Sequence, residues 1–253
     1  MHPLSVITDH LDSTLRIREL PDYPGAMNGL QLENRKREVT RVAAAVDATL
    51  PVVRKAVATR ADLLLVHHGM FWNGAQPWTG PVFERLHHAM EHDLAIYSAH
   101  LPLDAHPTLG NNARIAQALG LTPTSGFLDY KGMFVGVACE AELALDDLLA
   151  RFSAALGGNR VHVCAGGPQV TQRIGISSGG SGSEVAAAAR AGVDTFITGE
   201  GPHWSYTLAE ELGINVLYGG HYATETFGVK ALAEHLEERF GLPWCFVDHP
   251  TGL

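Results

Sequence analysis

The chain is built around one stretch, ADLLLVHHG at residues 61–69, an apolar run that leads into two histidines and a glycine. Continuous Leu and Val without alternation is typical of a strand that is buried on both faces of a parallel sheet. Open α/β sheets bind their ligands at the carboxyl ends of the strands, which is where His67 and His68 fall. Since neighbouring side chains on a strand point to opposite sides, the two imidazoles could serve two neighbouring metal ions.

The pattern around this stretch predicts an α/β fold. Apolar strands at 39–46 and 62–66 enclose a helical segment, and such a β-α-β unit places its strands parallel. A Thr/Pro/Gly-rich break at 122–126 precedes a second β-α alternation. We therefore expect two α/β lobes of related topology, each with a mainly parallel sheet flanked by helices. Residues 1–124 form the first lobe and residues 125–253 the second.

Composition limits the classes of function. The chain has 253 residues and a net charge of −9, which argues against binding to a nucleic-acid backbone. No stretch reaches the ~20 apolar residues of a membrane span, and residues 1–6 do not have the pattern of a signal peptide. The three cysteines, Cys139, Cys164 and Cys245, are too scattered for a disulfide framework or a cysteine zinc site. We expect a cytoplasmic protein with reduced thiols.

Two further strand ends carry metal-binding residue types: His100 with Asp104, and His221 with Glu225. His221 and Glu225 are four residues apart where a helix is predicted to begin, so their side chains can lie on one face. Imidazole and carboxylate are ligands for zinc, manganese or ferrous iron. Together with the histidine pair, these residues suit two ions that share a bridge, and Glu225 is the carboxylate best placed to bridge them.

Each of these residues also has a purely structural explanation. His100 could bond to backbone in its loop, Asp104 could cap a turn, and Glu225 could be favoured by the dipole of its helix. Purely structural explanations are less convincing for the whole set than for each residue alone, because every residue falls at the carboxyl end of a predicted strand. We therefore expect the metal site at the strand ends between the two lobes, with the His221–Glu225 segment packing back toward the first lobe.

Several short motifs, spread from residue 25 to the end of the chain, resemble those of one known family and occur in the same order. They are NGLQ at 28–31, AVDAT at 45–49, LLVHHG at 64–69, SAHLPLD at 98–104, TGE at 198–200 and GHYATE at 220–225. The family is that of the GTP cyclohydrolase I type 2 homologues, also described as hexameric dinuclear metal-centre proteins. The chain has the length of the family's short members.

The resemblance implies a particular ligand set. His68, Asp104 and Glu225 would hold one ion, and His67, His221 and Glu225 would hold the other. It also implies a ring-shaped homohexamer whose sites face an internal cavity. The segment GPHW at 201–204 differs from the family's usual motif at this place, so the resemblance assigns no role to Glu200 or His203.

Two functions remain open at this point. One is a metal-dependent hydrolase, in which two divalent ions activate water against a nucleotide or a related small molecule. His100 is then the candidate for proton transfer or for support of a ligand. The other is a non-catalytic hexamer whose ions serve regulation or partner recognition. The Gly/Ser loop at 178–183 fits an anion-binding nest and a tight structural turn equally well.

Overall fold

The computed structural model describes residues 1–74 and 76–253, and within them the chain divides into two compact units. Unit 1 consists of Met1–Leu103 and Gly228–His249, and unit 2 of Asp104–Phe227 and Pro250–Leu253. The boundary predicted from the sequence lies after residue 124, and the prediction assigned the last helix and the last strand to the second lobe. That return depends on a strand pairing between distant residues, which local patterns do not reveal.

The elements are numbered here in chain order. The strands are β1 (His2–Pro3), β2 (Gly29–Leu32), β3 (Glu38–Val39), β4 (Val42–Asp47), β5 (Leu63–His68), β6 (Ala95–Ser98), β7 (Ser125–Tyr130), β8 (Met133–Ala144), β9 (His162–Ala165), β10 (Val170–Ile176), β11 (Thr195–Thr198), β12 (Asn215–Tyr218) and β13 (Trp244–Phe246). The helices are α1 (Leu4–Leu15), α2 (Leu50–Ala58), α3 (Gly80–Glu91), α4 (Leu101–Asp104), α5 (Asn111–Ala118), α6 (Leu145–Ala155), α7 (Val185–Arg190), α8 (His203–Leu212), α9 (His221–Thr224) and α10 (Thr226–Phe240). In the part of the chain that the structure describes, no helix has the length and apolar character needed to cross a membrane.

Unit 1 contains a five-stranded sheet in the order β13-β4-β5-β6-β2. The first four strands are parallel and β2 is antiparallel to β6. The central strand β5 is buried from Leu63 to Val66, as its uninterrupted apolar run predicts. One core packs Leu64 and Val66 with Val52 and Val53 of α2. Burying each such side chain contributes about 1.5–3 kcal/mol, so this core fixes the strand whose end carries the two histidines.

Unit 2 contains a six-stranded sheet in the order β7-β8-β10-β11-β12-β9. Its centre, β10-β11-β12, is parallel, while β7, β8 and β9 pair antiparallel. The prediction of an α/β fold with sheets flanked by helices is confirmed. Both sheets were predicted to be mainly parallel, and this holds for the sheet of unit 1. In unit 2 only the three central strands are parallel, because β7, β8 and β9 pair with their neighbours in antiparallel fashion.

The structure differs from the local sequence pattern in four segments. Residues 99–107 were expected to form a loop without a helix, yet α4 is a helical turn that carries Pro102 near its start, where proline is tolerated. The segments assigned to a loop at 28–31 and to a crossing at 122–126 contribute to β2 and β7. The alanine-rich run from Glu184 to Ala191 predicts a helix, whereas α7 begins one residue later, at Val185, after a 3-10 turn at Ser181–Glu184.

Candidate metal centre

Three histidines gather at the strand ends of unit 1. His67 and His68 end β5, and His100 follows β6. Each offers one ring nitrogen, and these three nitrogens lie within 4.8 Å of one another, close enough to hold a metal ion. The rings of His67 and His68 lie 4.9 Å apart between centroids, and those of His67 and His100 4.8 Å apart. The division of His67 and His68 between two ions stays a prediction, and the two rings lie in one cluster.

The outer nitrogen of each histidine in this cluster is held by an acceptor. His67 Nδ1 donates to the Ala99 carbonyl, His68 Nδ1 to Asp47 Oδ1, and His100 Nδ1 to Asp22 Oδ1. Each of these hydrogen bonds is 2.9 Å long. A carbonyl or carboxylate only accepts, so each Nδ1 carries a hydrogen, and Nε2 is the ring nitrogen that can act as a metal ligand. A ring fixed in this way by an outer acceptor is the usual form of a metal-bound histidine.

Asp22 is fixed in turn by its surroundings. Its carboxylate also accepts hydrogen bonds from the backbone N–H of Leu101 at 2.9 Å and from the Asn28 side chain at 2.7 Å. Burial would raise the pKa of Asp22, but the hydrogen bonds from His100 and Asn28 outweigh it and hold the pKa below its usual range. Asp22 therefore remains an anion that orients His100.

Unit 2 places His221 between two carboxylates. Its Nδ1 donates to Glu200 Oε1 at 2.8 Å, and its Nε2 lies 3.1 Å from Glu225 Oε1. Helix α9 begins at His221 and ends one residue before Glu225, which gives the predicted one-face arrangement. Burial opposes the charged imidazole, yet the two carboxylates raise the pKa of His221 to about 9. A cation is thus stabilised between Glu200 and Glu225.

Asp104 and Glu225 both border the turn at Ser178–Gly179. Asp104 Oδ1 accepts hydrogen bonds from Asn111 Nδ2 at 2.8 Å and from Ser178 Oγ at 3.3 Å. Gly179 has a φ of +64°, and a Cβ atom built on it would lie 2.2 Å from Glu225 Oε1. Only glycine leaves room for the Glu225 carboxylate at this position.

The Gly/Ser loop at 178–183 is a structural turn that supports these side chains. The backbone N–H of Ser178 donates to Asn112 Oδ1 at 2.8 Å, and that of Gly179 donates to Thr224 Oγ1 at 3.1 Å. The N–H of Gly182 donates to the Glu200 carbonyl at 3.0 Å. Because these amides are already used within the protein, the turn is favoured over the anion-binding nest.

A further cluster lies on the surface of α3, where His88, Glu91 and His92 bring ligand atoms within 4.8 Å of one another. Residues three and four apart on a helix are neighbours in any case. Glu91 and His92 are exposed, and the Nδ1 of His92 donates to the carbonyl of His88 at 2.9 Å. The spacing alone accounts for this group.

The predicted residues thus fall into two sets, His67, His68 and His100 in unit 1, and Asp104, His221 and Glu225 in unit 2. Their division between two ions stays a prediction. Sequence reasoning gave no role to the acceptors Asp22, Asp47 and Glu200. A signal for Asp47 was available in the sequence, since it directly follows the apolar run at 42–46, as His67 and His68 follow theirs.

Comparison with known proteins places the whole chain in one family. The family model described as Duf34/NIF3 (NGG1p interacting factor 3) matches residues 3–251. A GTP cyclohydrolase 1 type 2 homolog of Deinococcus radiodurans is 45% identical over 245 residues, which cover 96% of this chain and 92% of that protein.

Solved structures match over nearly the whole length of both chains. Protein ybgI, described as of unknown function, has a TM-score of 0.91 and 35% identity, covering 99% of this chain and 100% of that one. TTHA1606 from Thermus thermophilus has a TM-score of 0.88 and 39% identity, with the same coverage. A family match over nearly all residues and relatives of this similarity lead to one conclusion: the chain belongs to the Duf34/NIF3 family, whose curated relatives carry the name GTP cyclohydrolase 1 type 2 homolog.

Proposed function

We propose that this protein binds two divalent metal ions per chain and is a metal-dependent hydrolase of a nucleotide or a related small molecule. The ligands in this proposal are His67, His68, Asp104, His221 and Glu225. The observation that carries it is the state of the histidine cluster in unit 1. All three rings have Nδ1 fixed by an acceptor, which makes Nε2 the nitrogen that can ligate a metal.

The donor set of unit 2 fits the same chemistry. His221 and Glu225 supply an imidazole nitrogen and a carboxylate oxygen, which suit zinc, manganese and ferrous iron. In the protein alone, a proton lies between Nε2 of His221 and Oε1 of Glu225, since the raised pKa keeps the imidazole charged. A divalent cation can replace that proton, and such exchange is the usual coupling of metal binding to proton release.

Divalent ions at this site would acidify water and draw charge from a carbonyl or phosphoryl oxygen. The protein's own contribution is to hold its side chains in position. Asp22 fixes the ring of His100 through Nδ1, so that His100 can accept or return a proton at Nε2. Asn111 and Ser178 hold the Asp104 carboxylate, and Glu200 orients His221.

One observation favours a second function, a non-catalytic metal-binding protein that recognises a partner. Unit 1 carries a groove of about 580 Å³ with exposed apolar side chains, which hydrolysis does not require. Trp78, Phe83 and Met90 in this groove are 65%, 47% and 46% exposed. Exposed apolar side chains that cluster in this way often mark interaction sites.

Assembly into a homohexamer is part of the proposal and is an expectation from the resemblance of the sequence motifs. Light scattering of the purified protein tests it directly. The proposal expects six times the 27.2 kDa mass of the chain. A monomer or dimer at micromolar concentration would contradict this part without affecting the metal ligands.

Turnover tests the catalytic proposal. Protein loaded with manganese, zinc or ferrous iron is incubated with GTP, other nucleotides and model phosphoesters. We expect hydrolysis of at least one compound, lost in His68→Ala, reduced about 100-fold or more in His100→Asn, and retained in His92→Ala on the surface of α3. Absence of turnover across the panel, with metal bound, would reject the hydrolase and favour the second function.

A further inference from the structure

Unit 2 contains a cavity of about 530 Å³ beside the His221 segment. Its walls come from the start of α8, from β9 and from the residues that follow β11 and β12. A volume of this size lies within the range of about 300–1,000 Å³ that is typical of small-molecule sites. Arg160, His162 and His203 on these walls belong neither to the proposed ligand set nor to the hydrophobic core of unit 2.

Basic side chains line one part of this cavity. Arg160 and His203 are exposed there, and neither makes an ion pair with any residue in the described ranges 1–74 and 76–253. In a chain with a net charge of −9, a guanidinium without a carboxylate partner at a cavity indicates an anionic ligand. The planar fork of arginine matches phosphate and carboxylate oxygens in pairs.

Aromatic rings line another part. The ring of His162 lies 5.5 Å from that of Tyr206 and 6.0 Å from that of Tyr218, between centroids. The hydroxyl of Tyr218 is fixed by Ser205 Oγ at 2.8 Å, and its ring is nearly buried. Aromatic faces at a cavity can stack with planar rings of ligands, nucleobases included.

Glu200 connects this cavity with the ligand set. Its side chain belongs to the cavity lining, and its Oε1 accepts the hydrogen bond from His221 Nδ1. Gly220, next to His221, lines the cavity as well. A molecule bound in the cavity therefore lies against the residue that orients a proposed metal ligand.

We propose that this cavity binds a small aromatic molecule that carries a phosphate group. The phosphate contacts Arg160 and His203, and the planar ring lies against His162 and Tyr206. The inference rests on the proposed hydrolase in one respect, since the bound molecule is the substrate of that reaction. The binding itself requires no metal.

Calorimetric titration of the metal-free protein in the presence of a chelator tests the inference, with AMP and 4-nitrophenyl phosphate as probes. We expect saturable binding of at least one probe at one site per chain. Arg160→Gln should weaken it about ten-fold or more, which corresponds to the loss of a hydrogen-bonded charge pair. Arg190→Gln, an exposed arginine of the same unit on α7, is the matched control and should bind like the wild type.

The ring and the phosphate are tested separately. Tyr206→Leu should weaken the binding of the probes, and adenosine and inorganic phosphate should each bind more weakly than AMP. The proposal would be overturned if neither probe saturated a site, or if Arg160→Gln left the affinity unchanged. If inorganic phosphate bound as tightly as AMP, the proposed contact with an aromatic ring would be overturned. Because the titration contains no metal, loss of turnover with intact binding rejects the hydrolase alone.

Discussion

Asp47 and His68 are register partners on the adjacent parallel strands β4 and β5, and their side chains are joined by a hydrogen bond of 2.9 Å between Oδ1 and Nδ1. The sheet thus places an outer carboxylate beside a proposed metal ligand without any loop. Since both residues are the last of their strands, the same backbone hydrogen bonds that build the core also set the direction of the imidazole.

Asp47→Asn should weaken metal binding about 10–100-fold, because the amide no longer fixes the His68 ring as an anionic acceptor does. Competition of the protein with a chromogenic chelator measures the affinity. Asp9→Asn, at an exposed position of α1, is the control and should bind metal like the wild type. Equal affinities in both variants would show that the Asp47–His68 hydrogen bond is irrelevant to the metal.

Gly179→Ala should abolish binding of at least one ion. The new Cβ would lie 2.2 Å from Glu225 Oε1 and 3.3 Å from His221 Nε2, so the Glu225 side chain must move. Gly213→Ala is a matched control, since Gly213 has a similar φ of +69° and nothing within 4 Å of its Cβ position. Both variants should lose about 1–2 kcal/mol of stability from the left-handed backbone. Elemental analysis should show metal loss in Gly179→Ala alone, and full metal content in that variant would contradict the geometry described for Glu225.

Asp62 should cause the stability of unit 1 to fall at acidic pH. Burial would raise the pKa of this carboxyl, but Lys36 and the hydroxyl and N–H of Thr40 lower it below its usual value. An acid with a lowered pKa in the folded state stabilises the fold above its unfolded pKa, and this contribution is lost as the pH falls through the folded pKa.

Asp62→Asn should therefore lower the free energy of unfolding by about 2 kcal/mol near neutral pH, and the difference from the wild type should shrink below about pH 4. Denaturant unfolding at a series of pH values measures it. Asp9→Asn should leave the curve unchanged, since Asp9 is exposed. A difference that stays constant down to about pH 2.5 would contradict the proposed ionisation.

Glu200→Gln should tighten the binding of AMP to the metal-free protein. The neutral amide still accepts the hydrogen bond from His221 Nδ1 through its oxygen, whereas the negative charge that faces the phosphate disappears. Calorimetric titration of the variant and the wild type measures the difference. Weaker binding of AMP in this variant would show that Glu200 contacts the ligand as an acceptor.

The sequence was sufficient for those parts of the fold that depend on local patterns. The uninterrupted run from Leu63 to Val66 predicted the buried strand β5 and the position of the two histidines. The four-residue spacing of His221 and Glu225 predicted that their side chains share one face, and in the structure the two approach to 3.1 Å. In both cases the relevant contact follows from backbone geometry within one segment.

Other features depend on contacts between distant segments, and local patterns could not reveal them. The parallel pairing of β13 with β4 brings the segment Gly228–His249 into unit 1. The contact of Asp22 with His100 joins a loop to a strand end that is 78 residues away. Such pairs become visible only when the register of the strands and the course of the loops are known.

Elemental analysis of the purified protein and its variants tests the proposed metal ligands. We predict two divalent ions per chain in the wild type and in His92→Ala, and loss of at least one ion in His68→Ala and in Glu225→Ala. Circular dichroism confirms that each variant is folded. Two ions retained in both His68→Ala and Glu225→Ala would contradict the assignment of these residues as metal ligands.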